Sequence, residues 1–156
     1  GLKICYIGDG NNMANSLIAG AVKTKMNISI ACPKGYEPDA DIMKWAADNS
    51  NFICTTDILK AAKDADVLYT DVWASMGQES EAQIRKSVFK SFQINDDVVA
   101  VAKPDVMVLH CLPAHRNEEI TDKVFEEHAK EIFEQAENRL HVQKAVMVLL
   151  MKDDDA

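Results

Sequence analysis

The sequence is poor in arginine, and its cysteines do not occur as closely spaced pairs. Only three of its 17 basic residues are arginine, at positions 85, 116 and 139, and no two of these are spaced as Arg-x-Arg or Arg-x-x-Arg. Neighbouring guanidinium groups clamp phosphate by binding its oxygens two at a time, so the sequence predicts no phosphate clamp of its own. The four cysteines form no Cys-x-x-Cys motif, which predicts buried, reduced thiols and no zinc site.

Long apolar runs and surplus positive charge are missing as well. No apolar run approaches the roughly 20 residues that span a bilayer, and the first four residues lack a signal-peptide layout. The formal net charge is −8, which argues against nucleic acid or an anionic membrane as the main partner. The reduced thiols predicted above indicate a reducing compartment, which would be either the cytoplasm or, in a eukaryote, the mitochondrial matrix.

Apolar runs with the length of strands alternate with helical patterns along the 156 residues. The predicted strands are 2–7, 27–32, 52–55, 67–72 and 106–112. The predicted helices cover 13–23, 58–62, 79–90, 121–125 and 138–151, with two more that begin at Asp39 or Asp41 and at Asn95. This alternation predicts an α/β fold, a Rossmann-like doubly wound parallel sheet with helices on both faces. We expect one domain over 1–152 and a frayed acidic tail at 153–156.

The ends of three predicted strands carry polar residues that could bind a ligand. The fifth strand runs into His110, Cys111 and Leu112 and ends at Pro113, which cannot donate to a sheet. In parallel α/β sheets, ligands bind outside the carboxyl ends of the strands. The alternative for this segment is a buried thiol beside a structural histidine.

The first strand is followed by a glycine-rich turn, Gly8-Asp9-Gly10-Asn11-Asn12, at the start of a helix. A nicotinamide dinucleotide site needs a third glycine where Met13 stands, and an acid at the end of the second strand, which this sequence lacks. The amide pair at a helix N-terminus instead suits a carboxylate or a phosphate. Ordinary turn and cap chemistry is the alternative for these two residues.

The fourth strand ends at Asp71, with Ser75 four residues later and Gly77 beyond it. A carboxylate and a hydroxyl at this spacing can hold one ammonium group together, although helix capping would explain them too. The first, fourth and fifth strands are neighbours in the usual doubly wound order, so Asn12, Asp71 and Cys111 should meet in one cleft. An anion site, a cation site and a thiol together fit a zwitterionic amino acid with a second reactive group.

Four motifs give the chain a specific resemblance to ornithine carbamoyltransferase. They are Gly-Asp-Gly-Asn-Asn at 8–12, Asp-x-x-x-Ser-Met-Gly at 71–77, His-Cys-Leu-Pro at 110–113 and Ala-Glu-Asn-Arg at 136–139. They stand in the family's order and spacing, and the similarity runs the length of the chain. The second and third motifs are typical of the ornithine branch, since the related aspartate carbamoyltransferases have proline where Cys111 stands.

The resemblance implies a role for each residue around the amino-acid head group. It implies that Asn12, helped by Asn11, holds the α-carboxylate of L-ornithine. It also implies that Asp71 and Ser75, supported by the backbone of Met76, hold the α-ammonium group.

By the same resemblance, Cys111 and Asp71 are catalytic residues, and Cys111 lies beside the δ-amine of ornithine. This amine attacks carbamoyl phosphate and gives citrulline and phosphate. Carbonyl oxygens around Cys111 and Leu112, together with Arg139, contact the carbamoyl group. The family uses no metal or organic cofactor, and the resemblance implies a homo-oligomeric, trimer-based parent enzyme.

The family's Ser-x-Arg-Thr-Arg phosphate loop and His-Pro-x-x-Gln element do not occur in this sequence. We therefore expect the chain to be the C-terminal, ornithine-binding half of the enzyme, inactive as an isolated domain. Two alternatives are a stand-alone amino-acid-binding or regulatory module and, less favoured, a nicotinamide-dependent oxidoreductase domain. The catabolic or biosynthetic direction stays open.

The final predicted helix starts amphipathic and ends apolar on every side, over 140–151. A helix that is apolar all round must be covered on more than one side. We expect the end of this helix either to be disordered or to be covered by a second copy of the chain.

Overall fold

Five parallel strands form one sheet in the order β3-β2-β1-β4-β5 in the computed structural model, which describes residues 1–74 and 81–151. The strands are β1 (Lys3–Ile7), β2 (Asn27–Ala31), β3 (Phe52–Thr55), β4 (Val67–Thr70) and β5 (Met107–His110). This order is the one found in dinucleotide-binding folds, in which β1 and β4 meet at the point where the direction of winding reverses. The predicted Rossmann-like α/β fold is confirmed.

Seven helices connect and flank these strands in the described part of the chain. They are α1 (Asn12–Lys23), α2 (Ala40–Asn49), α3 (Ile58–Ala62), α4 (Ala82–Phe89), α5 (Asp96–Val101), α6 (Asp122–Glu127) and α7 (Ala129–Met151). Buried residues of α1 and α2 pack with Tyr6 and Tyr69 in one core cluster. Buried residues of α3 to α7 pack with Cys5 and Leu68 in a second cluster. Because side chains alternate along a strand, these two sets lie on opposite faces of the sheet.

Side-chain caps set the beginnings of several helices where the sequence predicted them. Asp39, rather than Asp41, caps α2 by accepting hydrogen bonds from the backbone N–H groups of Asp41 and Ile42. Asn95 accepts from the N–H of Val98 and caps α5. These polar side chains satisfy backbone donors that have no partner within the helix.

The predicted boundaries were wrong at several places, by one or two residues at most strand ends and by more at the last helix. The fourth and fifth strands end at Thr70 and His110, two residues earlier than predicted, because the segments that follow turn away into the ligand-binding edge. The last helix begins at Ala129 and not near Asn138. Its first part carries three glutamates and has Ile132 as its one buried residue, so its few apolar positions were not recognised as part of a helix. The described part of the predicted helix 79–90 is α4, and the predicted tail at 153–156 lies outside the described residues.

Strand β5 lies at the edge of the sheet, beside α7. The backbone N–H of Val108 donates to the carboxylate of Glu131 at 2.5 Å, and the ring of His128 contacts the same oxygen at 2.6 Å. An unpaired edge strand is a site of unwanted strand pairing, and this carboxylate satisfies one of its donors. The start of α7 therefore protects the edge of β5.

The far end of α7 is exposed on all sides. The apolar side chains of Leu149, Leu150 and Met151 are between 75% and 81% exposed, and they continue the helix without a break. The helix thus continues to Met151 without cover from the rest of the described chain, and both a disordered end and cover by a second copy of the chain stay predictions. No helix in the described ranges has the length and apolar character that a membrane crossing requires.

We predict that this chain self-associates through the end of α7. Burying one such apolar side chain is worth about 1.5–3 kcal/mol, so association that covers several of them is favourable. Replacing Met147 and Met151 together by lysine should shift the particle mass measured by light scattering toward the monomer. Replacing Glu134 and Glu137 together by glutamine changes the net charge equally on the same helix and serves as the control. A wild-type chain that stays monomeric at every concentration would contradict the prediction.

Candidate functional site

The carboxyl ends of β1, β4 and β5 lie side by side. In the sheet, Ile7 is paired with Thr70, and Thr70 is paired with His110. The buried hydroxyl of Thr70 donates to the carbonyl oxygen of Ile7 at 2.7 Å, which ties the ends of β1 and β4 together. The three loops that carry the predicted site residues therefore leave the sheet at one level.

Asp71 lies at the centre of this edge, with 8% of its surface exposed. One of its oxygens accepts hydrogen bonds from the backbone N–H of Val72 at 2.8 Å and from the thiol of Cys111 at 3.0 Å. The other accepts a long contact of 3.5 Å from the side-chain amide of Asn11. The structure thus brings together one residue from each of the three predicted loops.

The thiol of Cys111 acts as a hydrogen-bond donor in this arrangement. Burial and the neighbouring Asp71 carboxylate both raise the pKa of Cys111 well above its usual range, and the charge of Arg139 opposes them. A thiol with a raised pKa stays protonated at neutral pH and is a poor nucleophile. The geometry therefore favours Cys111 as a neutral partner of Asp71.

Asn11 and Asn12 occupy different positions at the start of α1. Asn11 is the N-cap, and its side-chain oxygen accepts from the backbone N–H of Met13 at 3.0 Å. Its amide group faces Asp71, as described above. Asn12 is the first residue of the 12-residue helix and is exposed. The N-terminus of α1 follows the carboxyl end of β1, and its free backbone donors favour an anion there.

A buried hydrogen-bond chain holds the segment after β5. His110 and Glu119 are both fully buried, and Nε2 of His110 lies 3.0 Å from a Glu119 oxygen. Nδ1 of His110 accepts from the backbone N–H of Leu112 at 2.9 Å, which places the ring proton on Nε2, facing the carboxylate. Leu112 has a φ of +55°, in the left-handed region that is unfavourable for residues other than glycine. The histidine ring thus holds the backbone of Leu112 in a conformation that it would not adopt by itself.

A second buried pair was missed by sequence reasoning. Arg85 on α4 donates to the carboxylate of Asp9 at 2.7 Å, and both side chains are buried. The same nitrogen donates to the carbonyl oxygen of Trp73, and the guanidinium group lies 5.2 Å from the centre of the Tyr36 ring. Burial raises the pKa of Asp9, and the hydrogen bond from Arg85 opposes that shift. This pair ties α4 to the glycine-rich turn after β1.

Gly10 shows why that turn needs glycine. A Cβ at this position would lie 2.3 Å from the backbone of Glu37 and Pro38, which is far too close. The N–H of Gly10 donates to the carbonyl oxygen of Tyr36 at 2.8 Å. The turn after β1 is therefore packed directly against the segment that follows β2.

The remaining predicted residues lie elsewhere or outside the described ranges. Ser75 and Met76 are outside the described residues. Arg139 is exposed on α7, one turn beyond Gln135, whose amide donates to the Tyr69 hydroxyl at 3.0 Å. Arg139 lines a groove of about 470 Å³ between β5 and α7, next to Leu109. Arg139 thus lies beside the strand that leads to Cys111. It belongs to helix α7 and not to the loops that follow β1, β4 and β5.

One group of possible metal ligands occurs in the described part of the chain. Side-chain atoms of His115, Glu118 and Glu119 lie within 4.8 Å of one another. Glu118 is already paired with Lys86 at 2.6 Å, and the oxygen of Glu119 that faces His110 also accepts from the backbone of His115. One oxygen of each carboxylate is therefore engaged within the protein, while the second oxygen of Glu119 is buried without a hydrogen-bond partner among the described residues. We assign no metal to this group.

The fold and these contacts define a Rossmann-like α/β domain with a buried carboxylate and a thiol at the ends of adjacent strands. Residues 1–150 match the family model described as aspartate/ornithine carbamoyltransferase, Asp/Orn binding domain. The chain belongs to this family.

Curated relatives and solved structures agree with that assignment. The chain is 54% identical over 156 residues to the ornithine carbamoyltransferase of Thermococcus kodakarensis, covering 97% of this chain and 50% of the relative. The structure of the Pyrococcus furiosus ornithine carbamoyltransferase is similar at a TM-score of 0.87 and 52% identity, over 96% of this chain and 49% of that one. The structure of the anabolic ornithine carbamoyltransferase from Campylobacter jejuni is similar at a TM-score of 0.91 and 40% identity. The similarity covers 96% of this chain and 51% of that one. The chain thus spans about half the length of these relatives, and their names do not support the oxidoreductase or regulatory alternatives.

We predict that Glu119→Ala destabilises the domain. It leaves the buried Nε2–H of His110 and the backbone N–H of His115 without their acceptor, at about 1–3 kcal/mol for each. Urea unfolding should show this loss, and Glu119→Gln, which keeps an acceptor oxygen, should lose less. Equal stability of Glu119→Ala and the wild type would contradict this role of the carboxylate.

Proposed function

We propose that this chain is the L-ornithine-binding part of an ornithine carbamoyltransferase, which converts carbamoyl phosphate and L-ornithine to citrulline and phosphate. The observation that carries the proposal is the buried Asp71 carboxylate, held between the Cys111 thiol and the Asn11 amide. A buried carboxylate with two neutral donors is well suited to a cationic ligand. The names of the relatives support ornithine as that ligand.

Each charged group of the ornithine head group is matched to the part of the site that favours its charge. Its α-carboxylate would lie at the N-terminus of α1, where Asn12 is exposed and backbone donors favour an anion. Its α-ammonium would bind Asp71, with Ser75 and the Met76 backbone as the proposed further ligands. Asn11 is already engaged as the N-cap, so in this proposal it orients Asp71 and does not bind the carboxylate alone.

The reaction needs a neutral δ-amine, because an ammonium group has no lone pair. In the proposed mechanism the δ-nitrogen attacks the carbamoyl carbon, the bond from that carbon to the phosphate oxygen breaks, and the nitrogen loses a proton. Cys111 would accept or donate a hydrogen bond beside this nitrogen without forming a covalent bond. Carbonyl oxygens at Cys111 and Leu112, with Arg139, would contact the carbamoyl group.

Carbamoyl phosphate would be bound mainly by parts of the enzyme outside this sequence. Two of the three arginines are engaged by carboxylates: Arg85 by Asp9, and Arg116 by Asp122 and Glu126. Arg139 alone supplies one guanidinium group where phosphate recognition generally uses several donors. We therefore propose that the active site is completed by a second domain, in a homo-oligomeric, trimer-based enzyme. The archaeal and bacterial sources of the relatives support a cytoplasmic enzyme.

A chimaeric enzyme tests the proposed function. The half of the Pyrococcus furiosus relative that this chain does not match would be joined to this chain, which is 53% identical to the half it replaces. We expect the chimaera to form citrulline from carbamoyl phosphate and L-ornithine, and the 156-residue chain alone to form none. A folded chimaera that binds a bisubstrate analogue but makes no citrulline would contradict the proposal, as would turnover by the chain alone.

Asp71→Asn in the same chimaera tests the binding role of the carboxylate. Losing a charge-assisted contact costs about 1.5–3 kcal/mol, which is roughly a ten- to hundredfold loss of apparent affinity for ornithine. The KM for L-ornithine should rise far more than the KM for carbamoyl phosphate. Asp41→Asn, an exposed acid in the first turn of α2, should change neither. An equal loss for both substrates would mark Asp71 as structural.

Cys111→Ser tests the noncovalent role of the thiol. Because the pKa of Cys111 is raised and the substrate's amine is the nucleophile, serine should weaken ornithine use but leave measurable citrulline formation. Mass spectrometry of the acid-quenched wild-type chimaera during turnover should find no carbamoyl group on Cys111. A carbamoyl thioester at that residue would overturn the assignment.

A further inference from the structure

Two cysteines outside the proposed site are in contact with each other. The sulfur atoms of Cys32 and Cys54 lie 3.8 Å apart, within hydrogen-bond range for sulfur. Ile30 is paired with Cys54 across β2 and β3, so Cys32, two residues beyond Ile30, faces the same side of the sheet. The backbone N–H of Cys32 also donates to the carbonyl oxygen of Thr55 at 3.2 Å. The backbone that carries the two sulfur atoms is thus held in register.

The two thiols differ in access and in acidity. Cys32 is 1% exposed, whereas Cys54 is partly exposed on the edge strand β3. The hydrogen bond between them lowers the pKa of Cys54, while the same contact and burial raise the pKa of Cys32. Among the four cysteines, Cys5 is fully buried and its pKa is raised to about 12, and the pKa of Cys111 is also raised. Cys54 is therefore the less buried thiol of the pair, and the contact with Cys32 favours its thiolate form.

We propose that Cys32 and Cys54 form a dithiol site that reacts with low-molecular-weight disulfides of the glutathione type and closes to an intramolecular disulfide. The Cys54 thiolate attacks one sulfur of the oxidised reagent, forms a mixed disulfide and releases one reagent thiolate. Cys32 then attacks the Cys54 sulfur, releasing the second thiolate, which takes up the Cys32 proton. The protein dithiol is oxidised, and one reagent disulfide is reduced to two thiols.

The structure supports each of these two steps. Thiol–disulfide exchange requires a reachable thiolate for the first step, which Cys54 provides. The second step requires a thiol close to the mixed disulfide, and Cys32 is already in contact. Its burial keeps external reagents away from it, so it serves as the resolving thiol.

The site lies next to a segment that contacts the proposed ornithine site. Cys32 directly precedes Pro33, and the Tyr36 carbonyl that follows accepts from Gly10 in the turn after β1. This neighbourhood is distinct from Cys111, whose sulfur contacts Asp71. The dithiol therefore uses two cysteines that the proposed carbamoyl transfer does not.

The test is peptide mapping of the folded chain after equilibration with mixtures of oxidised and reduced glutathione. Remaining thiols are blocked in acid, and the chain is digested with trypsin. We expect the chain to lose two hydrogen atoms and to yield one disulfide-linked pair of peptides, 26–34 with 45–60, that dithiothreitol separates. A stable glutathione adduct on wild-type Cys54 without closure, or Cys111 reacting first, would overturn the proposal.

Single variants separate the two steps. Cys32→Ser should accumulate the glutathione adduct on Cys54, because the resolving thiol is gone. Cys54→Ser should leave Cys32 unmodified, and Cys111→Ser should still form the linked peptides. An adduct on Cys32 in the Cys54→Ser chain would contradict the assigned order. The wild-type peptide map decides the proposal even if a variant does not fold.

Discussion

The buried carboxylate of Asp71 is the constraint on which the ligand-binding edge depends. It follows β4 directly, between the turn after β1 and the segment after β5, and it accepts hydrogen bonds from its own loop and from the Cys111 thiol. A charged group in this position is stable only when its oxygens have partners, because an isolated buried charge is costly. Asn11 and Cys111 are therefore held toward it, and the order of the strands brings them within reach.

Two further buried contacts hold the loops around that carboxylate. Asp9 and Arg85 connect the turn after β1 to α4, and Glu119 and His110 fix the backbone of Leu112. Neither pair is hydrogen-bonded to Asp71. The Asp9–Arg85 pair restrains the turn that carries Asn11, and the His110–Glu119 pair restrains the segment that carries Cys111. Removing one partner of such a pair leaves the other unpaired in the interior, which costs more than the pair itself contributes. The site is thus supported from both sides by polar contacts within the core.

Much of this arrangement could be predicted from the sequence, because the chemistry stands at the ends of recognisable strands. The fold, the five strands and the meeting of the loops that carry Asn12, Asp71 and Cys111 follow from local pattern and from the usual strand order. The contact with Asp71 is made by Asn11, however, and not by the predicted Asn12. Arg85 and Glu119 could not be assigned, since their partners lie 76 and 9 residues away and a single charged residue in a polar stretch looks solvated. The start of α7 was missed for a related reason, because its first turns mix glutamates with a few apolar residues, of which only Ile132 is buried.

The charges of this chain suit one of the two proposed substrates and not the other. Asp71 is buried near the cleft without a charged partner among the described residues, and the net charge of the whole sequence is −8. Such a field favours the ammonium groups of ornithine and disfavours the doubly charged phosphate of the second substrate. Because Arg85 and Arg116 are already paired with carboxylates, the positive charge needed for phosphate has to come from another domain.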